Sequence, residues 1–231
     1  MDRPFLSSLF PAERVRWFQQ VLLNWSDTSL RDFPWRNTRD PYLIFVAETL
    51  LQKTNAAKVL PIYDRVCARY ATLELLADAR LEDLAALLQP LGLQFRAARL
   101  LQSAQMLHRD REIFSDEARL LQLPGVGPYT ARAVLANAFD RPAAVLDANV
   151  ARILERFWGV RGGRVKSRDP LLWAAAEFVA PKRATSRWNL TLIDFGALVC
   201  RARRPLCDAC PLRSRCHWYG ACAQSSPLPS T

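Results

Sequence analysis

The chain is expected to fold as an all-α protein. Apolar residues recur at helical spacing along almost its whole length. No stretch shows the two-residue alternation of half-buried strands bounded by glycine turns. Half of the 231 residues are hydrophobic, enough for one large domain or two small ones with real cores. No run approaches eighteen apolar residues, so no membrane span is expected. The N-terminus, Met-Asp-Arg-Pro-Phe-Leu-Ser-Ser-Leu-Phe, lacks the apolar core of a signal peptide. A reducing cytoplasmic setting, in association with the nucleoid, is the expectation.

Ala12–Trp25 reads as an amphipathic helix. An Asp40-Pro41 start precedes a helical stretch that continues as Ala47–Leu60. Short helices follow at Tyr63–Ala68, Leu73–Ala77 and Leu81–Leu88. Arg96–His108 repeats apolar residues at i, i+3, i+4 and i+7. Two helices flank Leu123–Pro128, and others lie at Asn149–Phe157, Leu171–Val179 and Asn189–Val199. Arg161–Lys166 and Pro181–Ser186 are polar, basic loops, and no internal repeat is present. The Ser/Pro-rich end, Ala223–Thr231, is expected to be a disordered tail.

Net charge is +10 at pH 7, and the sequence pI is about 9.8. Such a balance favours a polyanionic partner, DNA or RNA before a membrane. Lysine stands only at positions 53, 58, 166 and 182, and a genomic preference for arginine accounts for part of that bias. Without a coiled-coil pattern, a monomer is expected.

Cys200, Cys207, Cys210 and Cys216 follow the spacing C-x6-C-x2-C-x5-C. Four thiolates in so short a segment can wrap one metal centre, either a [4Fe–4S] cluster or a structural zinc. Zinc sites favour two short C-x2-4-C pairs, so the spacing leans towards iron–sulfur. The segment around them, Arg-Ala-Arg-Arg-Pro-Leu-Cys-Asp-Ala-Cys-Pro-Leu-Arg, is basic and suits a phosphate backbone. Cys67 reads as a small core residue. Secreted disulfide scaffolds are shorter and denser in cysteine.

Leu123-Pro124-Gly125-Val126-Gly127-Pro128-Tyr129-Thr130 lies between two helices. Its glycines permit a tight turn with backbone amides exposed at a helix N-terminus, which binds phosphate without a cationic side chain. Alternatively it is an ordinary helical corner. About twenty residues on, Asp147 follows an apolar run and opens a helix. An N-cap role suits it, and a capping carboxylate is held rigidly enough to stabilise positive charge. Glu48 shares its helix side with Ile44, Phe45 and Leu51, which points to semi-burial, and a buried acid must be paired or protonated. Gln52 and Thr54 follow on the same helix. Phe33-Pro34-Trp35-Arg36 is an aromatic, basic turn that could stack on the cysteine loop or anchor a core. His108 and His217 show no ligand pattern.

In this order, the segments from about Phe33 to Cys216 resemble the helix-hairpin-helix DNA glycosylases of the endonuclease III superfamily. The resemblance rests on Leu123-Pro-Gly-Val-Gly, on Asp147 at the right distance and on the four-cysteine spacing. It implies two helical domains with a DNA-binding cleft between them. One, a helical barrel over 30–142, would contain the helix-hairpin-helix at about 118–140. The other, 1–29 plus 143–222, would carry a [4Fe–4S] cluster on Cys200, Cys207, Cys210 and Cys216. Leu123, Gly125, Val126, Gly127 and Thr130 would meet the phosphate backbone. Gln52 matches the residue that fills the gap left by a flipped base, and Gly92–Arg96, with Arg96 among the DNA contacts, would supply a second wedge.

Within the superfamily, endonuclease III enzymes carry a catalytic lysine two residues after the second hairpin glycine; here that position is Tyr129. Without the amine no Schiff base can form there, so efficient β-lyase chemistry is not expected. Adenine–DNA glycosylases share the Phe-Pro-Trp-Arg turn and a helix glutamate like Glu48, but carry a small residue, often Ser, at the Tyr129 position and normally add a C-terminal reader of 8-oxoguanine. Fifteen residues follow Cys216 here, so such a reader is expected to be missing. Thymine/uracil mismatch glycosylases carry tyrosine and share the Pro-Trp-Arg, Glu and Val-x-Asp-Ala-Asn elements. The chain resembles that branch most, which implies monofunctional excision of thymine or uracil opposite guanine. Asp147 would stabilise the developing sugar cation, and Glu48 and Tyr129 would line the base pocket. The alternatives are an adenine glycosylase without its reader, an enzyme for oxidised pyrimidines, and a non-catalytic iron–sulfur DNA-binding protein.

Overall fold

A computed structural model describes residues 2–92 and 94–225; of Gln94 and residues 222–225 only the backbone is described. Leu93 and the Gln94 side chain, central to the expected wedge, thus lie outside the described residues, as does the 226–231 part of the expected tail. Among the described residues there are helices and turns but no strand. The chain forms two compact units, Met1–Arg31 with Pro142–Thr231, and Asp32–Arg141.

Two helices open the first unit, α1 (Arg3–Leu9) and α2 (Ala12–Ser29). Asp2 starts α1 by accepting from Phe5 N, with Pro4 in the first turn where a missing N–H costs nothing.

The second unit begins with the 3-10 turn Pro34–Arg36. There Phe33 stacks on Trp35, with ring centroids 4.8 Å apart, and Trp35 meets Tyr63 edge-on at 5.1 Å. Trp35 is only 6% exposed, so this turn serves as a core anchor of its own unit. Helix α3 (Pro41–Leu51) starts as expected at Asp40, which accepts from Tyr42 N at 2.8 Å. The helix expected over Ala47–Leu60 is broken, however. Lys53 takes a left-handed conformation, φ 55. Asn55 then caps a new helix, α4 (Ala56–Arg69), by accepting from Ala57 N at 2.8 Å. The apolar rhythm runs through the break because both helices face one core; the polar run Gln52–Asn55 supplies the turn chemistry that interrupts it. The short helix expected at Tyr63–Ala68 is the end of α4.

Helices α5 (Leu73–Ala77), α6 (Leu81–Leu88) and α7 (Gln94–Arg109) follow; α7 packs against both α5 and α6. The short α8 (Glu117–Leu120), a turn and α9 (Pro128–Phe139) complete the unit, with α9 laid along α3. Val46, Leu50, Val59, Leu76, Leu84, Leu88, Leu120 and Val134 are fully buried in it.

The chain then re-enters the first unit through the buried segment Ala143–Leu146 and forms α10 (Ala148–Trp158), α11 (Pro170–Val179), α12 (Thr185–Leu198) and α13 (His217–Ser225). Its core is aromatic: Phe18 stacks on Phe157 at 4.6 Å and meets Trp188 edge-on at 5.7 Å. Burying rings of this size supplies on the order of 2–3 kcal/mol each. Helix α13 carries the chain to Ser225, three residues into the segment read from the sequence as tail.

Candidate active site

In the second unit the turn between α8 and α9 is built as its glycines require. Leu123 is 2% exposed and anchors it, and Val126 N donates to Leu123 O at 3.1 Å. Gly125 adopts φ +82, where a side chain would be strained, and a Cβ there would stand 3.2 Å from Arg99 Cδ. Gly127 is the N-cap of α9 and Pro128 its first residue, so no side chain competes for the amides of the first turn. An uncapped N-terminus of this kind favours an anion. Tyr129 stands half-buried in that turn; Thr130 is 3% exposed.

Gln52, just after α3, is tied to the same turn. Its Nε2 donates to Gly125 O at 3.0 Å and lies 3.4 Å from Thr130 Oγ1. Its own carbonyl accepts from Arg96 Nη1. Arg96 is 7% exposed, and burial, then the neighbouring Arg99, lower its affinity for the proton. Arg96 therefore braces the Gln52 turn from within instead of reaching outward, and Leu123 likewise points into the core. The exposed cation on this stretch of α7 is Arg99. Glu48, in the last turns of α3, is 6% exposed among Ile44, Phe45 and Ala47, so its expected burial is met. A carboxyl held there costs several kcal/mol unless paired or protonated.

In the first unit Asp147 is the N-cap of α10. Oδ1 accepts from Val150 N at 2.7 Å, and Oδ2 from Asn149 Nδ2 at 2.9 Å. Burial raises its proton affinity above that of an ordinary carboxyl; the Val150 and Asn149 hydrogen bonds and the charge of Arg152 pull the other way. The result is a carboxyl group with fixed direction, partly withdrawn from water. Hydrogen bonds continue outward. Asn149 Oδ1 accepts from Arg152 Nη2 at 2.8 Å, Arg152 Nη2 also donates to Gly196 O at 2.7 Å, and Arg152 Nε to Cys200 O at 2.7 Å.

Cys200, Cys210 and Cys216 pack on the edge of the aromatic core. Cys200 Sγ lies 3.6 Å from Arg156 Nη1, and Cys216 Sγ lies 3.6 Å from Arg156 O, so the first and last of the four cysteines meet at one residue. Arg156 Nη1 also binds Arg201 O at 2.7 Å, and its guanidinium lies over the Trp218 ring. Burial first, and the other thiols second, raise Cys207; burial is the largest cause raising Cys216 and Cys210, the latter to about 11. Among the described residues no three His, Cys, Asp or Glu side chains stand in a ready-made arrangement for a metal ion.

A family model described as the HhH-GPD superfamily base excision DNA repair protein matches residues 46–176. The thymine/uracil-DNA glycosylase of Methanothermobacter thermautotrophicus is 35% identical over 209 residues, covering 89% of this chain and 95% of that protein. The chain belongs to the HhH-GPD superfamily of base excision DNA repair proteins.

Other relatives match the chain to different extents. The solved structure of a thermostable thymine-DNA glycosylase superposes with a TM-score of 0.84 at 34% identity, covering 91% of this chain and 98% of that one. An adenine DNA glycosylase of Buchnera aphidicola subsp. Baizongia pistaciae is 33% identical, but this chain spans only 58% of its length. The structure groups the expected site residues in two sets. Gln52, Arg96, Gly125 and Thr130 form one, in the second unit; Asp147 and, through Arg152, Cys200 form the other, in the first. Arg152, Arg156, Asn189 and Gly196 escaped the sequence reading, which noted Asn149 only as part of the Val-x-Asp-Ala-Asn element. Asn149, the third residue of Asp-Ala-Asn, carried a local signal, a short polar side chain in a first helical turn.

Proposed function

We propose that this chain is a monofunctional DNA glycosylase that hydrolyses the N-glycosidic bond of thymine or uracil mispaired with guanine in double-stranded DNA. The observation that carries the reading is the end-to-end match to a thymine/uracil-DNA glycosylase, joined to Tyr129 in the hairpin position where a lyase would need an amine. The adenine branch is matched over little more than half of the relative's length.

In this mechanism the α8–α9 hairpin holds one phosphate of the duplex by its backbone amides. The mismatched nucleotide flips out at lower cost than a paired one. Gln52 leaves Gly125 O to fill the gap. Glu48 and Tyr129 line the base pocket; the phenol ring offers a stacking face and a hydroxyl for hydrogen bonding. As the glycosidic bond lengthens, the sugar gains oxocarbenium character. Ionised Asp147, fixed by Val150 N and Asn149, stabilises that cation and orients the attacking water. With no amine at Tyr129, the abasic strand is released intact.

The four cysteines would hold a [4Fe–4S] cluster. The donor set suits it: four cysteines stand in one short segment, and burial first and the neighbouring thiols after it raise the proton affinity of Cys207 and Cys210, a cost that a cationic core would relieve. Such a cluster would serve as a structural staple, with Arg14, Arg152 and Arg156 securing the segments around it.

The test is a single-turnover panel on duplexes containing G·T, G·U, 8-oxoguanine·A and thymine glycol, with and without hot alkali. Breaks at G·T or G·U that need alkali are expected. Preference for 8-oxoguanine·A or for thymine glycol would overturn the substrate assignment. DNA binding without any abasic product would overturn the enzymatic one.

A further inference from the structure

Asp147 ends an extended segment that has no strand beside it. Residues Ala143–Leu146 are buried, with exposures of 9, 3, 2 and 0%, so their backbone polar groups need partners. One side chain on α12 supplies two of them. Asn189 Nδ2 donates to Ala143 O at 2.8 Å, and Asn189 Oδ1 accepts from Val145 N at 3.2 Å. In extended backbone the carbonyl of one residue and the amide of the next but one point to the same side. A carboxamide presents one donor and one acceptor in a plane, at a spacing that closes on such a pair. Asn189 thus mimics one rung of a β-ladder, and at 3% exposure its own polar atoms are spent on that rung.

The consequence reaches Asp147. The rung fixes residues 143 and 145, and Asp147 is the next residue in that alternation. Two helical turns further along α12, on the same face as Asn189, Gly196 seats the other side of the Asp147 turn. A Cβ on Gly196 would stand 2.5 Å from Asn149 Cβ, and Gly196 O accepts from Arg152 at 2.7 Å. One face of α12 therefore holds the segment before Asp147 and the first turn after it.

We infer that Asn189 is a positioning residue for Asp147: its carboxamide sets the register of the segment that delivers the carboxylate. The inference rests on the reading of Asp147 given under the proposed function. Asn189→Leu keeps the bulk and deletes both hydrogen bonds; Asn189→Asp keeps the shape but faces Ala143 O with a second acceptor. Displacement of a catalytic group by about 1 Å costs on the order of 10²-fold in rate. The expected result for both variants is a single-turnover excision rate, at saturating enzyme on a G·T duplex, lower by 10-fold to 10²-fold. The Kd for the same duplex changes less than about 3-fold, because the hairpin is untouched.

A second readout separates positioning from mere loss of stability. Asp147 owes its raised proton affinity to burial, with Arg152 as the charged group that faces it. Loosening the segment admits water, so the acid limb of the rate profile moves to lower pH in the variants. Asn189→Ser, whose hydroxyl can serve one of the two backbone groups, should fall between parent and Leu variant, and it keeps the test open if Asn189→Leu does not fold. Variants that melt earlier yet keep the parent rate and acid limb would overturn the inference. Asp147→Asn, run alongside, tells the two failures apart. If it still excises base, the reading of Asp147 falls; if it is inert while the Asn189 variants are unchanged, only the positioning role falls.

Discussion

Gly196→Ala is the smallest change that should disturb the proposed chemistry without touching a polar group. The added methyl would lie 2.5 Å from Asn149 Cβ and 3.2 Å from Asn149 Cα. Carbon atoms in contact need about 3.5–4.0 Å, so α12 and the first turn of α10 must part by about 1 Å. Asn149 cannot swing aside at no cost, because its amide serves Asp147 at 2.9 Å and its oxygen serves Arg152 at 2.8 Å. Overpacking of this kind destabilises by about 1–3 kcal/mol, which for a chain of this size lowers Tm by roughly 2–4 °C per kcal/mol. The displaced carboxylate should lower excision by about 10²-fold. Single-turnover rates at saturating enzyme, with Kd and Tm measured on the same preparations, separate these effects. A variant with the parent rate would refute the claim that this contact seats Asp147, whatever its Tm.

Other outcomes follow from the same geometry. Asp147→Asn should reduce excision by at least about 10³-fold while duplex affinity, read by fluorescence anisotropy, stays within about 3-fold. Because burial raises Asp147 and only its ionised form can steady a cation, the parent rate should fall as pH drops through a value above that of an ordinary aspartate. Asn149→Ala deletes a hydrogen bond that favours the carboxylate, so the acid limb should move to higher pH; a limb that stays put or moves down would contradict the assignment. Arg31→Ala strips the guanidinium from Asp194, whose side chain is 0% exposed. The unfolding free energy in urea should drop by about 3 kcal/mol, the low end for a broken buried pair because the Arg31 side chain is 31% exposed.

What the sequence made legible was local. Asp40 and Asp147 announce helix starts because capping is decided within three residues. The hairpin could be read from Gly125, because a positive φ needs a particular residue at a particular place, and from Gly127, which opens the next helix without a competing side chain. The helix expected over Ala47–Leu60 failed for the opposite reason. Apolar period cannot register a break when the pieces on either side serve one core, and the signal lay instead in the Asn55 cap. Arg96 shows a further limit. A basic residue beside an expected wedge reads as a DNA contact, yet the fold turns it inward onto the Gln52 carbonyl, a partner 44 positions away. Asn189 and Gly196 were invisible because their meaning depends on backbone groups brought to them from the 143–149 segment.

The most direct test of the account is to analyse everything the parent enzyme releases from a G·T duplex in one turnover, by mass spectrometry and without alkali. Free thymine and an intact abasic strand in equal amounts are expected, and neither should form with Asp147→Asn. No free base, a severed strand, or undiminished release by the Asp147 variant would contradict a water-using glycosylase built on that carboxylate.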